Sequence, residues 1–371
     1  MRIVFNTDQV FLHGGIEKTM ATKANYFANL PNVEVYIVTT EQQGKLPCYE
    51  LDKKVHLIDL SVNYNRNQSY FSKENLKKVV QHFRRQKALF KTLKPDVIIS
   101  PNFNFDHYWL PFLDTKTKVV KERHGSRFFE NNSRKNASFI SKLKFAFNDW
   151  LDAKYDHIIV LNEDEKQYVK SGNAVVIPNS VPIPDYRAEL TNKTVIAAGR
   201  ISPVKAFDEL IEAWKIVNNK FPDWELHIYG EDYLDSKKKL NDLINSLQLQ
   251  KVVHFKKSVD DLQNTMQDYS IYAMSSVTEC FPMVLLEALS VGLPIVSYDC
   301  PNGPRNIITN QEDGLLAEYK NPQNLAEKLM ILMGDEGKRS EMGVSAKKNV
   351  ERFANAEVMN LWRNLLNLQN V

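Results

Sequence analysis

Two carboxylates and two cations in the second half of the chain have the types and spacing for chemistry on an anionic leaving group. The stretch Ser275-Ser-Val-Thr-Glu279-Cys280-Phe281-Pro282-Met283-Val284-Leu-Leu-Glu287 follows a short apolar run that reads as a strand. Pro282 suits the first helical position, where its missing N–H costs nothing. Eight helical residues span about 12 Å. Glu279 lies ahead of the helix, so its gap to Glu287 is shorter than that. That is about the reach needed to hold a sugar at one end and a ribose at the other, with the helix N-terminus between them able to receive phosphates. Glu287 sits in an otherwise apolar run, Met283 to Leu293, where an unpaired carboxylate is expensive. A solvated-face glutamate fits that surround poorly.

A second constellation is Ala197-Ala198-Gly199-Arg200-Ile-Ser-Pro-Val-Lys205. A glycine and an arginine close a buried strand, and a lysine follows five residues on. Ligands of parallel α/β folds bind beyond the carboxyl ends of strands. Two cations there suit a diphosphate, onto which Arg forks. The competing reading is a surface pair that merely snorkels. In the first half, Gly14-Gly15 lies between a strand and a helical pattern, where bare backbone and a helix N-terminus favour a phosphate. A flexible glycine turn explains the pair equally well. The arrangement is not GxGxxG, so the dinucleotide fingerprint is absent and a nicotinamide oxidoreductase is disfavoured. His124, in the turn Arg123-His124-Gly125, reads on residues alone as a solvated loop histidine. Asn102-Phe-Asn104-Phe-Asp-His-Tyr108-Trp109 mixes aromatics and amides after a strand. It either lines an acceptor-sugar site or packs a loop; Asn102, Asn104, Tyr108 and Arg127 are the acceptor candidates. There is no DxD motif and no cluster with metal-ligand spacing, so no metal and no cofactor are expected.

These residues need elements to hold them. Strand patterns fall at Arg2–Asn6, Val33–Thr40, Val55–Leu60, Asp96–Ser100, Val119–Arg123, His157–Asn162 and Val175–Pro178. Most are continuous apolar runs, as for strands covered on both faces. Helical patterns at Ile16–Leu30, Lys73–Lys94, Ala137–Tyr155 and Glu163–Ser171 alternate with them. Pro178 to Asp185 then holds three prolines and reads as an interdomain connection. The alternation restarts with strands at Thr194–Ala198, Glu225–Tyr229, Val252–Phe255, Ile271–Met274 and Pro294–Tyr298. Helical patterns follow at Pro203–Lys220, Ser236–Leu247, Asp260–Gln267, Pro282–Val291, Asn324–Leu332, Lys338–Arg352 and Ala356–Leu368. The expectation is an α/β protein of two doubly wound, Rossmann-like domains, 1–180 and 186–355, with an interdomain cleft and with 356–371 packing back on the first domain.

Charge and cysteine content narrow the class. The 371 residues carry 48 Lys+Arg and 45 Asp+Glu, too balanced for a dedicated nucleic-acid binder. The balance conceals 27 against 19 in residues 1–180 and 21 against 26 thereafter, so a basic half adjoins an acidic one. Cys48, Cys280 and Cys300 are odd in number and far apart, which fits a reducing compartment. The opening residues lack a leader-like apolar run, and no stretch reaches a membrane span's length. A cytoplasmic protein is expected.

Together, Gly14-Gly15, Gly199-Arg200 with Lys205, the E-x7-E pair Glu279 and Glu287, and Cys300-Pro-Asn-Gly-Pro-Arg-Asn306-Ile-Ile resemble glycosyltransferase family four. These are retaining enzymes of GT-B fold that use sugar nucleotides. The resemblance spans nearly the whole chain and is strongest from 194 to 316. It implies that the first domain binds the acceptor and the second the donor. Arg200 and Lys205 would stabilise the leaving diphosphate. Glu279 would contact the donor sugar and Glu287 the ribose hydroxyls. His124 matches a family histidine facing the donor sugar. Gly14, Gly15, Gly199, Gly230 and the segment Cys280, Phe281, Pro282, Met283 and Val284 would complete the donor site, largely through backbone amides. Relatives carry Glu where this chain has Asn306, which bears on sugar specificity rather than reaction class. The implied reaction moves a hexose or N-acetylhexosamine from a UDP-sugar to a glycan or lipid-linked glycan, in surface polysaccharide or lipopolysaccharide synthesis. The alternatives are a UDP-sugar epimerase of the same fold and a non-catalytic GT-B partner subunit; the four intact polar residues argue against the latter. Lys73–Lys94 holds eight basic residues and one acid, and Asn136–Tyr155 sets Phe139, Leu143, Phe147, Trp150 and Leu151 on one stripe. The plain reading is helices whose apolar faces look inward. The sharper one is peripheral contact with anionic lipid at the inner membrane face.

Overall fold

The computed structural model describes residues 1–101, 104–114 and 116–368. The chain divides into two units, Met1–Ile177 with the segment from Met359 onward, and Pro178–Val358.

The first unit is built on seven parallel strands: β1 Arg2–Thr7, β2 Glu34–Thr39, β3 Val55–Asp59, β4 Val97–Ser100, β5 Lys118–Glu122, β6 His157–Val160 and β7 Ala174–Val176. Their spatial order is β3-β2-β1-β4-β5-β6-β7. The apolar runs explain the centre of this sheet: Ile3, Val4 and Phe5 of β1 are fully buried between Val35–Ile37 on one side and Val97–Ile99 on the other. Such strands need cover on both faces, which crossover helices supply. Helix Gly15–Ala28 carries β1 to β2, and helix Lys73–Leu93 carries β3 to β4. Ser72 caps the latter by accepting from the Asn75 amide.

The second unit has six strands: β8 Thr194–Ala198, β9 Glu225–Tyr229, β10 Val253–Lys256, β11 Ile271–Met274, β12 Ile295–Tyr298 and β13 Gly314–Ala317. Their order is β10-β9-β8-β11-β12-β13, again parallel. Helix Phe207–Asn218 shows why the sheet is covered. Phe207, Leu210, Ile211, Trp214 and Val217 recur at three- and four-residue spacing, and all are buried. In each unit the chain reverses direction across the sheet between two central strands, β1 and β4 in the first, β8 and β11 in the second. Those are the switch points where ligands of such sheets are bound.

Four elements differ from the sequence reading. Helix Phe128–Lys135 has no buried residue, so no apolar stripe announced it. Strand β13 is four residues long and opens on Gly314, where a Cβ would press on the Ile295 carbonyl. The Glu163–Ser171 pattern is helical only over Glu163–Lys166. The Pro203–Lys220 pattern is broken: a 3-10 turn at Pro203–Lys205 ends on Ala206, whose φ of 45° is left-handed, before the α-helix begins at Phe207.

Candidate functional site

The predicted donor residues other than Gly14 and Gly15 lie in the second unit, around its switch point. β8 ends at Ala198, and Gly199 and Arg200 follow directly. Gly199 has φ 151° and Gly230, just after β9, has φ 154°. A Cβ on Gly230 would run into the Gly199 carbonyl, so the two backbones pass at a distance only glycine permits. The break at Ala206 has a consequence for Lys205. It turns the lysine back toward the loop after β11, where Lys205 Nζ meets Glu279 Oε1 at 2.6 Å. Ser276 donates to the same oxygen at 2.7 Å. The turn is tied down by Ser275 Oγ donating to the Lys205 carbonyl at 2.9 Å and by the Val277 amide donating to Val204 at 2.8 Å. A non-glycine residue in left-handed conformation costs energy and persists where its surroundings hold it.

Glu279 is also braced from behind. It forms a bridge with Asn302, and the Gly303 backbone lies so close that a Cβ there would strike the Glu279 side chain. In the 3-10 turn Pro304–Asn306, Asn306 Nδ2 donates to the Asn302 carbonyl at 2.6 Å. The residue that departs from the family pattern therefore braces the loop holding Glu279. Arg305 forks onto Asp299 at 2.7 and 2.8 Å. Burial, then Glu279 and Asp299, push the Cys300 thiol up to about 12.

Pro282 is the residue before the helix rather than its first residue; the helix is Met283–Ser290. Cys280 and Phe281 are buried, and Phe281 packs edge-to-face on Phe353 at 5.4 Å. Their side chains thus belong to the core, and only their backbone is suited to a ligand. Met283 and Val284, in the first turn, are partly exposed. Glu287 is buried in the second turn, among Leu285, Leu286, Ala288 and Leu289. Arg200 is exposed, its guanidinium 5.1 Å from the Tyr233 ring centroid.

In the first unit, Gly14 precedes helix Gly15–Ala28 with an extended φ of −166°, which any residue adopts. The loop before it is organised by Gln9, whose Oε1 accepts from the Phe11 and Leu12 amides at 2.7 and 2.8 Å. His124 lies at the carboxyl end of β5. Its Nε2 is 3.0 Å from Glu122 Oε2, and Lys23 Nζ reaches both Glu122 oxygens at 2.5 Å. Burial works against this carboxylate, but Lys23 and His124 outweigh it and hold Glu122 at about 2. Neither Lys23 nor Glu122 is marked in the sequence, because a buried ion pair across 99 residues leaves no local pattern. His124 and Arg127 line one cavity of about 400 Å³ with Lys121, Arg123 and Glu130. Burial lowers Lys121 to about 8 although Asp152 opposes the shift.

The acceptor candidates separate. Asn102 lies outside the described residues. Asn104 is buried and occupied: it caps the 3-10 turn Phe105–Tyr108, donates to Asp8 Oδ1 at 2.6 Å and accepts from Tyr70. These hydrogen bonds hold the loop together, as in the loop-packing alternative. Tyr108 packs on Phe147 at 6.3 Å, and Arg127 pairs with Glu130. The sequence reading passed over Asp8, which sits where β1 ends. Burial pushes its carboxyl up to about 6, while Arg66, donating at 2.9 Å, works the other way.

The helix Phe139–Asp152 overturns the plain reading of its apolar stripe. Phe139 and Ile140 are 76% and 78% exposed, and Leu143, Phe147 and Trp150 also face solvent; Leu151 alone of the stripe is buried. Phe112 and Phe129 add exposed aromatics, Phe112 stacking on Trp150 at 6.0 Å. Among the described residues no helix is long and apolar enough to cross a membrane.

Comparison with known proteins agrees along the chain. Residues 13–183 match the family described as Glycosyltransferase Family 4, and residues 183–349 that described as Glycosyl transferases group 1. An uncharacterized glycosyltransferase of Haemophilus influenzae is 25% identical over 362 residues, covering 95% of this chain and 96% of that protein. The poly(ribitol-phosphate) alpha-N-acetylglucosaminyltransferase of Staphylococcus aureus is 28% identical over 58% of this chain; the match spans 44% of that longer protein. Among solved structures, S. aureus TarM in complex with fondaparinux, alpha-GlcNAc-glycerol and UDP aligns with a TM-score of 0.78 at 17% identity, over 99% of each chain.

Proposed function

We propose, for a chain that belongs to the GT-B glycosyltransferases of family four, transfer of a hexose or N-acetylhexosamine from a UDP-sugar, with retention, to a glycan or lipid-linked glycan in surface polysaccharide synthesis. The observation that carries this reading is the Lys205–Glu279 pair, held at the β8–β11 switch point beside the Gly199–Gly230 backbone contact and the N-terminus of helix Met283–Ser290. Such a site offers what a departing diphosphate needs: fixed cations and amides aimed at developing negative charge. Arg200 and Lys205 supply that charge, so transfer proceeds without a metal. Glu279 contacts the sugar, Glu287 the ribose, and His124 assists at the sugar as in the family. The polyanionic acceptor named for the S. aureus relative supports a polymeric acceptor. Calorimetry with UDP, UDP-glucose, UDP-galactose and their N-acetylamino counterparts tests the donor, and the anomeric proton of the product tests retention. Lys205→Ala should weaken UDP binding. Failure of every uridine nucleotide to bind would overturn the reading, and turnover of UDP-sugar without acceptor would replace it with an epimerase.

The exposed stripe of helix Phe139–Asp152 supports a peripheral place at the inner membrane face. Lys142 and Lys144 lie within it, and Lys154 stands 5.2 Å from the Trp150 ring. An apolar, aromatic face rimmed by lysines suits the interface of an anionic bilayer.

A further inference from the structure

A cluster of imidazoles and a carboxylate stands at the other end of the second sheet. Glu225 and His227 are two residues apart on β9, so their side chains share one face. His254 on β10, the edge strand, pairs in register with His227. Glu225 Oε2 lies 3.0 Å from His227 Nε2 and 3.5 Å from His254 Nε2. One ligand atom from each residue falls within 4.8 Å of the other two. All three side chains are partly exposed, at 46%, 13% and 33% for Glu225, His227 and His254, so solvent reaches the point where they converge.

These separations have a chemical meaning. A tetrahedral zinc ion with bonds of about 2.0–2.1 Å sets neighbouring ligand atoms about 3.3–3.4 Å apart, which the two observed distances bracket. The supporting contacts agree. His227 Nδ1 is 2.8 Å from the Tyr269 hydroxyl, which is 2.8 Å from the Tyr229 hydroxyl. A bond at the far ring nitrogen is how proteins fix which nitrogen faces a metal. Lys256, two residues beyond His254 on β10, adds positive charge nearby and works modestly against a cation.

We propose that Glu225, His227 and His254 form a binding site for a divalent transition-metal ion of the zinc class, with a fourth position open to water. Two imidazoles and a carboxylate suit zinc, cobalt or nickel and are too few oxygens for calcium or magnesium. Glu225 starts β9, and the four residues to Tyr229 rise about 13 Å toward Gly230. The ion therefore sits at the strand end away from the diphosphate residues. Its work is to clamp edge strand β10 to β9, not to take part in transfer.

The test is calorimetric titration of the chelator-stripped full chain with Zn²⁺. Wild type should bind one equivalent and gain thermal midpoint. His254→Asn and Glu225→Gln, at partly exposed positions, should lose that equivalent, and Tyr269→Phe should weaken it by about 10–100-fold. UDP affinity should not change with metal loading. Absence of zinc binding by the wild type, or unchanged binding by His254→Asn, overturns the proposal. If a variant fails to fold, Co²⁺ added to the wild type decides. Tetrahedral absorption without a thiolate band supports the site; octahedral absorption or a thiolate band refutes it. Either result is independent of whether the chain transfers sugar.

Discussion

Lys205 and Glu279 offer the sharpest test of how the donor site works, because they touch. At 2.6 Å their gross attraction at an effective dielectric of about 20 is about 6 kcal/mol, before the desolvation both have suffered. Lys205→Ala removes a charge-stabilising donor, typically worth about 3 kcal/mol of barrier, or a factor of 10²–10³ in kcat. It does a second kind of damage too. The Glu279 carboxylate, still bonded by Ser276, is left without its cation beside an incoming diphosphate. Like charges then repel where the pair formerly neutralised one another. Glu279→Gln alone should lower kcat, since it takes away a negative group facing a sugar that becomes positive as its bond breaks. In the double variant the repulsion is gone. Its loss in kcat/KM should therefore be smaller than the two single losses combined, by about 0.5–3 kcal/mol. Initial rates of UDP release for the four proteins, with and without EDTA, complete the cycle. Strict additivity would refute the claim that the pair acts as a unit. Abolition of activity by EDTA would refute diphosphate stabilisation by side chains alone.

The other expectations are more local. Glu287→Gln should raise the donor KM more than it lowers kcat, because the ribose does not change during transfer; weaker binding of free UDP, seen by calorimetry, is the same effect at equilibrium. Gly230→Ala places a Cβ against the Gly199 carbonyl at a φ of 154°, so it should destabilise the second unit by more than about 1 kcal/mol in urea unfolding, whereas Gly14→Ala, whose Cβ meets the movable end of the Glu17 side chain, should cost less. Phe139→Ser with Ile140→Ser should reduce sedimentation with anionic liposomes while leaving stability within about 0.5 kcal/mol, since both side chains are exposed; salt should weaken the wild type, and equal binding to neutral vesicles would count against the electrostatic part. Glu122 is depressed to about 2 in the folded chain, so its contribution is complete above its unfolded pKa of about 4.3 and fades as pH falls toward 2. Glu122→Gln should flatten the acid limb of stability in that window, as read by denaturant midpoints across pH.

The strands were legible because they are covered on both faces. Ile3-Val4-Phe5 and Thr194-Val-Ile-Ala-Ala198 are runs that no exposed element tolerates, and the structure places them at the centres of the two sheets. Glycines in front of helical patterns were less informative than they looked. Gly14 adopts a conformation open to any residue, while Gly230, which only the family resemblance marked, is required by backbone approach. The turn that brings Lys205 to Glu279 was not legible either. Periodicity from Pro203 to Lys220 is continuous, and only tertiary contacts, Ser275 on the Lys205 carbonyl and Val277 on Val204, stop the helix at Ala206.

Helix Phe139–Asp152 shows the limit of pattern reasoning most plainly. An amphipathic stripe states that apolar residues share a face; it carries no sign for whether that face looks into the protein or out of it. Lys73–Leu93 and Phe139–Asp152 have the same kind of stripe and similar basic flanks. Phe90 of the first is buried, and Val79 and Leu93 pack on the core of the unit. In the second, the polar residue Asp152 is buried, bonded by Lys121 at 3.2 Å and paired with Arg123, while Phe139 and Ile140 point to solvent. That helix is anchored inward at its end by Leu151 and by the ionic contacts of Asp152, and the other residues of its stripe are left for another surface. Nothing in the spacing of Phe139, Leu143, Phe147 and Trp150 distinguishes the two cases. What does is a buried acid at the helix end whose partners lie 29 and 31 residues earlier, on β5 and just after it.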